Sequence, residues 1–124
     1  MVRATGLVKK FGDFIAVDGI SFAVQRGETF GMLGPNGAGK TSTLRMMSGL
    51  SPVTSGQLEI DGIDATANAR SIRDVIGVVS QHDGLDPDIS VRDNLTIYGF
   101  YFGLDRKMAA RRADEVLDFF DLKS

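Results

Sequence analysis

Cysteine is absent from these 124 residues. That excludes disulfide staples and thiolate metal sites, and it fits a reducing compartment. Histidine occurs once, as His82, in a stretch without metal-ligand spacing, and it reads as an ordinary surface residue. With that placement no serine or cysteine triad can be assembled. No apolar run approaches the ~20 residues that span a bilayer, and the first residues lack the apolar core of a signal peptide. Any membrane contact is therefore expected to come through a partner. A basic excess is also missing. The formal net charge is −2 and the pI is near 5.3, which argues against a nucleic-acid surface. Internal repeats and low-complexity segments are absent too. What remains is the composition of an ordered domain, 43% hydrophobic and 24% charged, at a length expected for one domain.

The feature that stands out is Gly34-Pro35-Asn36-Gly37-Ala38-Gly39-Lys40-Thr41. It fits G-x-x-x-x-G-K-[ST], the phosphate-binding P-loop. Residues 29–33 before it form a short apolar run that reads as a buried parallel strand. Residues 42–48 after it read as the first turns of a helix closed by Gly49. A purely structural glycine turn is the bland alternative, but strand, glycine loop and helix in that order are the context the motif requires. The chemistry explains the residue types. Glycines let the backbone approach a polyphosphate, and successive N–H groups form an anion nest at the positive end of the helix. Lys40 supplies a mobile charge for the β- and γ-phosphates. The Thr41 hydroxyl is the expected Mg²⁺ ligand, and Ser42 a donor to the α-phosphate. Pro35 fixes one φ angle and lowers the entropy of ordering the loop. The chain is expected to bind a nucleoside triphosphate.

GPNGAGKTST after an apolar strand resembles the ATP-binding subunit of an ABC transporter, and further segments fall in that family's order. Lys9-Lys10-Phe11-Gly12 followed by residues 16–22 resembles its adenine-side segment, in which an aromatic stacks on the base. Phe11 matches that aromatic where tyrosine is more usual, with Val17 lining the same site. Ile76-Gly77-Val78-Val79-Ser80-Gln81 resembles the strand ending in the Q-loop glutamine. The resemblance gives Gln81 a contact to Mg²⁺ or to the attacking water, a catalytic role shared with Lys40, and a link to the membrane partner. Residues 88–95 resemble the entry to the helical subdomain. The tone of residues 49–56 and of Asp61-Gly62 is most similar to drug-resistance and nodulation-type exporters.

The resemblance implies an α/β fold: a P-loop NTPase core with a RecA-like parallel sheet, incomplete here, an antiparallel β-subdomain and the start of a helical subdomain. Residues 1–81 are expected to form the nucleotide core with its β-subdomain. Residues 82–124 are expected to leave the Q-loop and begin the helical subdomain. No Ser-Gly-Gly occurs, and no apolar strand ends in Asp-Glu. The sequence therefore reads as the front portion of an ATPase domain, without its signature, Walker B aspartate or catalytic glutamate. In such folds later strands lie between the strands at 29–33 and 76–79, so both are expected to meet water here. The implied cofactors are ATP and Mg²⁺. The implied partners are a second ATP-binding subunit, paired head to tail, and a transmembrane permease that holds the protein on the inner face of the cell membrane. A binding-only ATP module and a non-transport relative in translation or DNA repair remain as alternatives.

The rest of the sequence reads as supporting structure. Ile20, Phe22 and Val24 alternate as in a half-buried strand. Gln57-Leu58-Glu59-Ile60 and Ile63-Asp64 flank Asp61-Gly62, a hairpin signal. Residues 67–75 suggest a short helix. Ser90 and Asp105 are placed to cap helices over 91–102 and 106–120, the second with Ala109, Ala113, Val116, Leu117 and Phe120 at helical spacing. Tyr98, Phe100, Tyr101 and Phe102 are expected on a core-facing helix with some aromatic overhang, in preference to a docking patch. Arg111-Arg112 with Asp114-Glu115 reads as a solvated face. Asp83, Asp86 and Asp88 lack the ligand series of a calcium loop.

Overall fold

The computed structural model describes residues 1–35 and 37–123, in two compact units, 1–78 and 79–124. The first is built on a four-stranded antiparallel sheet in the order β2-β1-β3-β4. Its strands are β1 (Val2–Phe11), β2 (Phe14–Val24), β3 (Ser55–Ile60) and β4 (Ile63–Asp64). The β3–β4 connection is Asp61-Gly62, with φ of 48° and 80°. Two left-handed residues make a type I′ turn, whose twist matches the strands it joins. Asp61 is further tied by the Arg26 guanidinium at 2.8 Å and by its own N–H to the Met1 carbonyl at 2.8 Å.

One face of this sheet carries the core. Ala4, Leu7, Leu58 and Ile60 are buried there with Met46 of α1 (Lys40–Met47) and Ile72 of α2 (Ala69–Ile72). The alternation along β3 places Leu58 and Ile60 inward and Gln57 and Glu59 outward, as a sheet covered on one side requires. The register of β1 against β2 shifts three times. Such bulges turn side chains that strict alternation would send to the other face. At the head of α2, Asp64 accepts from the Thr66 hydroxyl and N–H, which holds its carboxyl below the usual carboxylate range. The α2 segment is shorter than the helix expected over 67–75.

Residues 29–33 and 76–79, apolar as buried parallel strands are but expected to meet water without the strands between them, pair in no ladder, and no parallel sheet forms among the described residues. Leu33 is 99% and Val79 100% exposed. The reason is the absence of flanking strands: a parallel strand needs partners along its edges and cover on both faces. Phe30 stacks on Phe22 of β2 with centroids 5.3 Å apart, and Ile76 packs half-buried against the core.

The second unit is a helical pair, α3 (Val91–Tyr101) and α4 (Arg106–Phe119). Both start as the sequence predicts. Ser90 Oγ accepts from the Asp93 N–H at 3.0 Å, and Asp105 Oδ1 from the Met108 N–H at 2.8 Å. The seam runs through Ala109, Ala113 and Leu117 of α4, and Gly99 of α3 lies close against Ala109. Arg92 and Asp114 form an ion pair between the helices. Here the expectation of a core-facing aromatic helix is corrected. Tyr98, Phe100, Tyr101 and Phe102 are all exposed, as is Phe120, because α3 meets α4 through small residues and its rings stay outside the seam.

The buried residue of α3 is instead Asn94. Its amide donates to the carbonyls of Asp86 and Ser90, both at 3.0 Å, and its oxygen accepts from the Asp86 N–H at 2.8 Å. One side chain thus supplies the hydrogen bonds of a loop that has no ladder of its own. Replacing it with alanine removes these part-buried hydrogen bonds, at about 0.5–1.5 kcal/mol each. Asn94→Ala is expected to speed hydrogen exchange of the Asp86 amide by on the order of tenfold, with the amides of α4 changed far less. Unchanged Asp86 exchange would show that the loop holds itself.

Candidate functional site

The glycine-rich loop ends where α1 begins. Gly37 and Gly39 both have left-handed φ, 85° and 89°, and Gly39 is the N-cap of α1. A β-carbon at Gly39 would collide with the Ala16 carbonyl of β2 and lie 3.3 Å from a methyl of Val17. The loop is therefore seated on β2 backbone to backbone, an approach open only to glycine. The β2 strand is prepared for it. Lys9 pairs with Val17 but Lys10 pairs with Ile15, so Ala16 is the extra residue of a bulge whose carbonyl meets the loop.

The charged and polar groups of this turn are all near its start. Lys40 opens α1 and its ammonium donates back to the Gly34 carbonyl. Thr41 is exposed and Ser42 half-buried on the same first turn. Thr43 points away, with its hydroxyl on the Gly39 carbonyl at 2.8 Å. No side chain caps the N-terminus of α1, and no acidic residue lies in its first turn. Its first N–H groups have no acceptor within the helix, and the helix dipole makes this end positive. Such a turn suits an anion with several oxygens, which can take both the N–H groups and the lysine charge. At its other end α1 closes on Gly49, with Gly49 N–H to Met46 O at 3.1 Å and Leu50 N–H to Arg45 O at 2.9 Å. That is a Schellman closure.

The remaining sequence-selected residues are spread more widely. Phe11 ends β1, 55% exposed, in the same sheet on which the loop is seated. Val17 is 4% exposed, within the core cluster behind Gly39. Gln81 is exposed and belongs to the second unit. Asn36 lies outside the described residues, as does Ser124. His82 is exposed, and no group of three or more acidic, histidine or cysteine side chains gathers to hold a metal among the described residues. No helix there is long and apolar enough to cross a membrane. Sequence reasoning missed two residues that shape this region. Both fall within the adenine-side segments, but the bulge at Ala16 is marked only by a register shift and the burial of Lys9 by nothing in the motif.

Comparison with known proteins agrees with this geometry. The profile of the family described as ABC transporter matches residues 17–124. A Nod factor export ATP-binding protein I from Burkholderia lata is 46% identical over 116 residues, covering 94% of this chain and 38% of the relative. One from Ralstonia nicotianae is 47% identical over 119 residues, covering 96% and 37%. The chain thus spans less than two-fifths of the length of these relatives. Among solved structures, a dimeric ATP-binding cassette in a post-hydrolysis state, bound to ADP and Pi, matches with a TM-score of 0.78 at 26% identity, over 95% of this chain and 56% of that one. An ATP-binding subunit of an ABC transporter matches in fold with a TM-score of 0.81, at 23% identity over 98% and 51%.

The two left-handed glycines make a sharp comparison. A methyl group added at Gly37 would meet open space, whereas at Gly39 it would meet backbone. Gly37→Ala is expected to cost only the left-handed penalty, about 1–2 kcal/mol. Gly39→Ala adds the collision and should lose clearly more, with the loop displaced from Ala16. Denaturant midpoints of the two variants check this, and equal losses would mean the loop is not seated as described.

Proposed function

The chain belongs to the ABC transporter family, and from that premise we propose that it holds Mg·ATP on the loop at residues 34–42. Members of the family bind ATP, and the observation that carries the reading for this chain is the seated turn at Gly39. There the start of α1 has no side-chain cap, and the Lys40 ammonium reaches back from it to the Gly34 carbonyl. Lys40 leaves the Gly34 carbonyl for the β- and γ-phosphates. The N–H groups of Gly37, Gly39 and the first turn of α1 take phosphate oxygens, together with those of Gly34 and Asn36 in the motif and that of Ala38, which leaves the Pro35 carbonyl at 3.2 Å. Thr41 offers a hydroxyl to Mg²⁺ and Ser42 a hydrogen bond to the α-phosphate, while Pro35 limits the loop's freedom. The bound Mg²⁺ draws charge from the phosphates. Phe11 offers an exposed ring to the base, with Val17 holding the loop from behind. For Gln81 the assignment, a contact to Mg²⁺ or to the attacking water, rests on its motif alone.

In the whole protein this portion serves an ATPase subunit that drives export across a membrane. It pairs head to tail with a second ATP-binding subunit and docks on a transmembrane permease at the cytoplasmic face. Export is favoured by the names of the relatives, which are Nod factor export proteins. The division into a nucleotide core at 1–81 and the start of a helical subdomain at 82–124 belongs to the same proposal.

Calorimetric titration with Mg·ATP tests it. Lys40→Ala is expected to weaken binding about 10- to 150-fold, the loss of a charge-assisted contact of about 1.5–3 kcal/mol. Equal affinity in variant and parent would remove the assignment. The rate tells a second part. The 124 residues carry the phosphate cradle but no apolar strand ending in Asp-Glu and no Ser-Gly-Gly. Phosphoryl transfer depends on groups that position water and stabilise the moving charge. ATP turnover by this chain is therefore expected not to exceed that of Lys40→Ala. Steady turnover abolished by Lys40→Ala would place the catalytic groups elsewhere in these residues.

A further inference from the structure

Lys9 is the one charged side chain that is buried among the described residues, 6% exposed. Lysine usually buries its stem and leaves its ammonium in water. Here the ammonium turns inward. Its Nζ donates to the Pro52 carbonyl at 2.6 Å and lies 5.0 Å from the centroid of the Phe11 ring. Pro52 belongs to the segment that leaves the Schellman closure of α1. The same segment is clamped to β1 on both sides of Lys9, through Thr54 N–H to the Val8 carbonyl at 3.0 Å and Lys10 N–H to Thr54 Oγ1 at 2.9 Å. The ammonium thus stands between the end of the P-loop helix and the exposed aromatic ring.

We propose that Lys9 is a positioning residue for nucleotide-base binding, which holds the Phe11 ring and ties it through Pro52 to the phosphate-binding helix. This rests on the reading of Phe11 as the base-stacking aromatic. A cation against one face of a ring fixes the orientation of a side chain that is otherwise half in solvent. It also draws π density toward itself, which leaves the opposite face less negative and better matched to an electron-rich purine. Because Pro52 hangs from α1, the ring is referenced to the element that sets the phosphates.

The test titrates the full chain and its variants with Mg·ATP and, separately, with inorganic triphosphate, which has no base. Lys9→Met keeps the stem and removes the cation. It is expected to lose about 3- to 30-fold in ATP affinity with triphosphate affinity unchanged. Lys9→Arg restores most of the loss, and Lys9→Met with Phe11→Ala binds ATP no more weakly than Phe11→Ala alone. Parental ATP affinity in Lys9→Met, beside a loss in Phe11→Ala, overturns the role of Lys9 while leaving the base reading intact. Equal losses for ATP and triphosphate also overturn it, because they mark a general support of the fold. If Phe11→Ala itself leaves ATP affinity unchanged, the base reading falls and the proposal with it. Lys9→Gln keeps a donor for the Pro52 carbonyl without the charge, and is held to the same outcomes where Lys9→Met does not fold.

Discussion

The backbone contact between Gly39 and the Ala16 carbonyl sets the position of everything the loop can do. It fixes where α1 starts, and so where the Lys40 ammonium and the Thr41 hydroxyl stand. It works because each side is specialised. The loop has no β-carbon at that point, and β2 carries an extra residue whose carbonyl is displaced toward it. Neither feature is costly alone. A left-handed glycine is unstrained, and a bulge gives up only part of a ladder. Together they dock a polar turn on a sheet without burying a large side chain between them.

Much of this was legible in the sequence, and the reasons differ by element. The P-loop, the Asp61-Gly62 hairpin, the Gly49 closure and the caps at Ser90 and Asp105 are local: each depends on a backbone conformation or a short-range hydrogen bond that its own residues impose. The antiparallel subdomain followed from alternation in β2 and β3. What could not be read is what depends on distant partners. The bulge at Ala16 follows from pairing with β1, and nothing in Ala16-Val17 marks it. Lys9 looks like any surface lysine until the Pro52 segment folds over it. Asn94 reads as a neutral helix residue, yet it carries the hydrogen bonds of the Asp86 loop. The aromatic run at 98–102 looks core-facing from its composition, and the close approach of Gly99 and Ala109 decides otherwise.

The segments at 29–33 and 76–79 depend on distant partners most of all, and there the sequence did announce the outcome. Their apolar sequences are those of buried parallel strands, but a strand is defined by its neighbours. Leu33 and Val79, each worth about 1.5–3 kcal/mol on burial, stand in water here. The similarity to solved cassettes nevertheless extends over 95% of the chain. Against a typical domain stability of about 5–15 kcal/mol, such exposed apolar side chains are a large fraction, and their burial depends on pairing that these 124 residues do not supply.

The antiparallel sheet then has a second role beyond support. Its β1 strand ends in Phe11 and its β2 strand receives Gly39, so the ring and the glycine turn are both referenced to one hairpin. The segment from Gly49 to Thr54 closes the circuit, since it leaves α1 and returns to β1 through the Lys9 ammonium and the Val8 and Lys10 backbone. A shift of α1 along its axis would have to be shared with the strand that carries the ring. In that geometry the Phe11 ring and the glycine turn are not independent features of a common surface. They are two ends of one braced loop, and the brace is made of hydrogen bonds and one buried charge, where aliphatic packing would leave more slack.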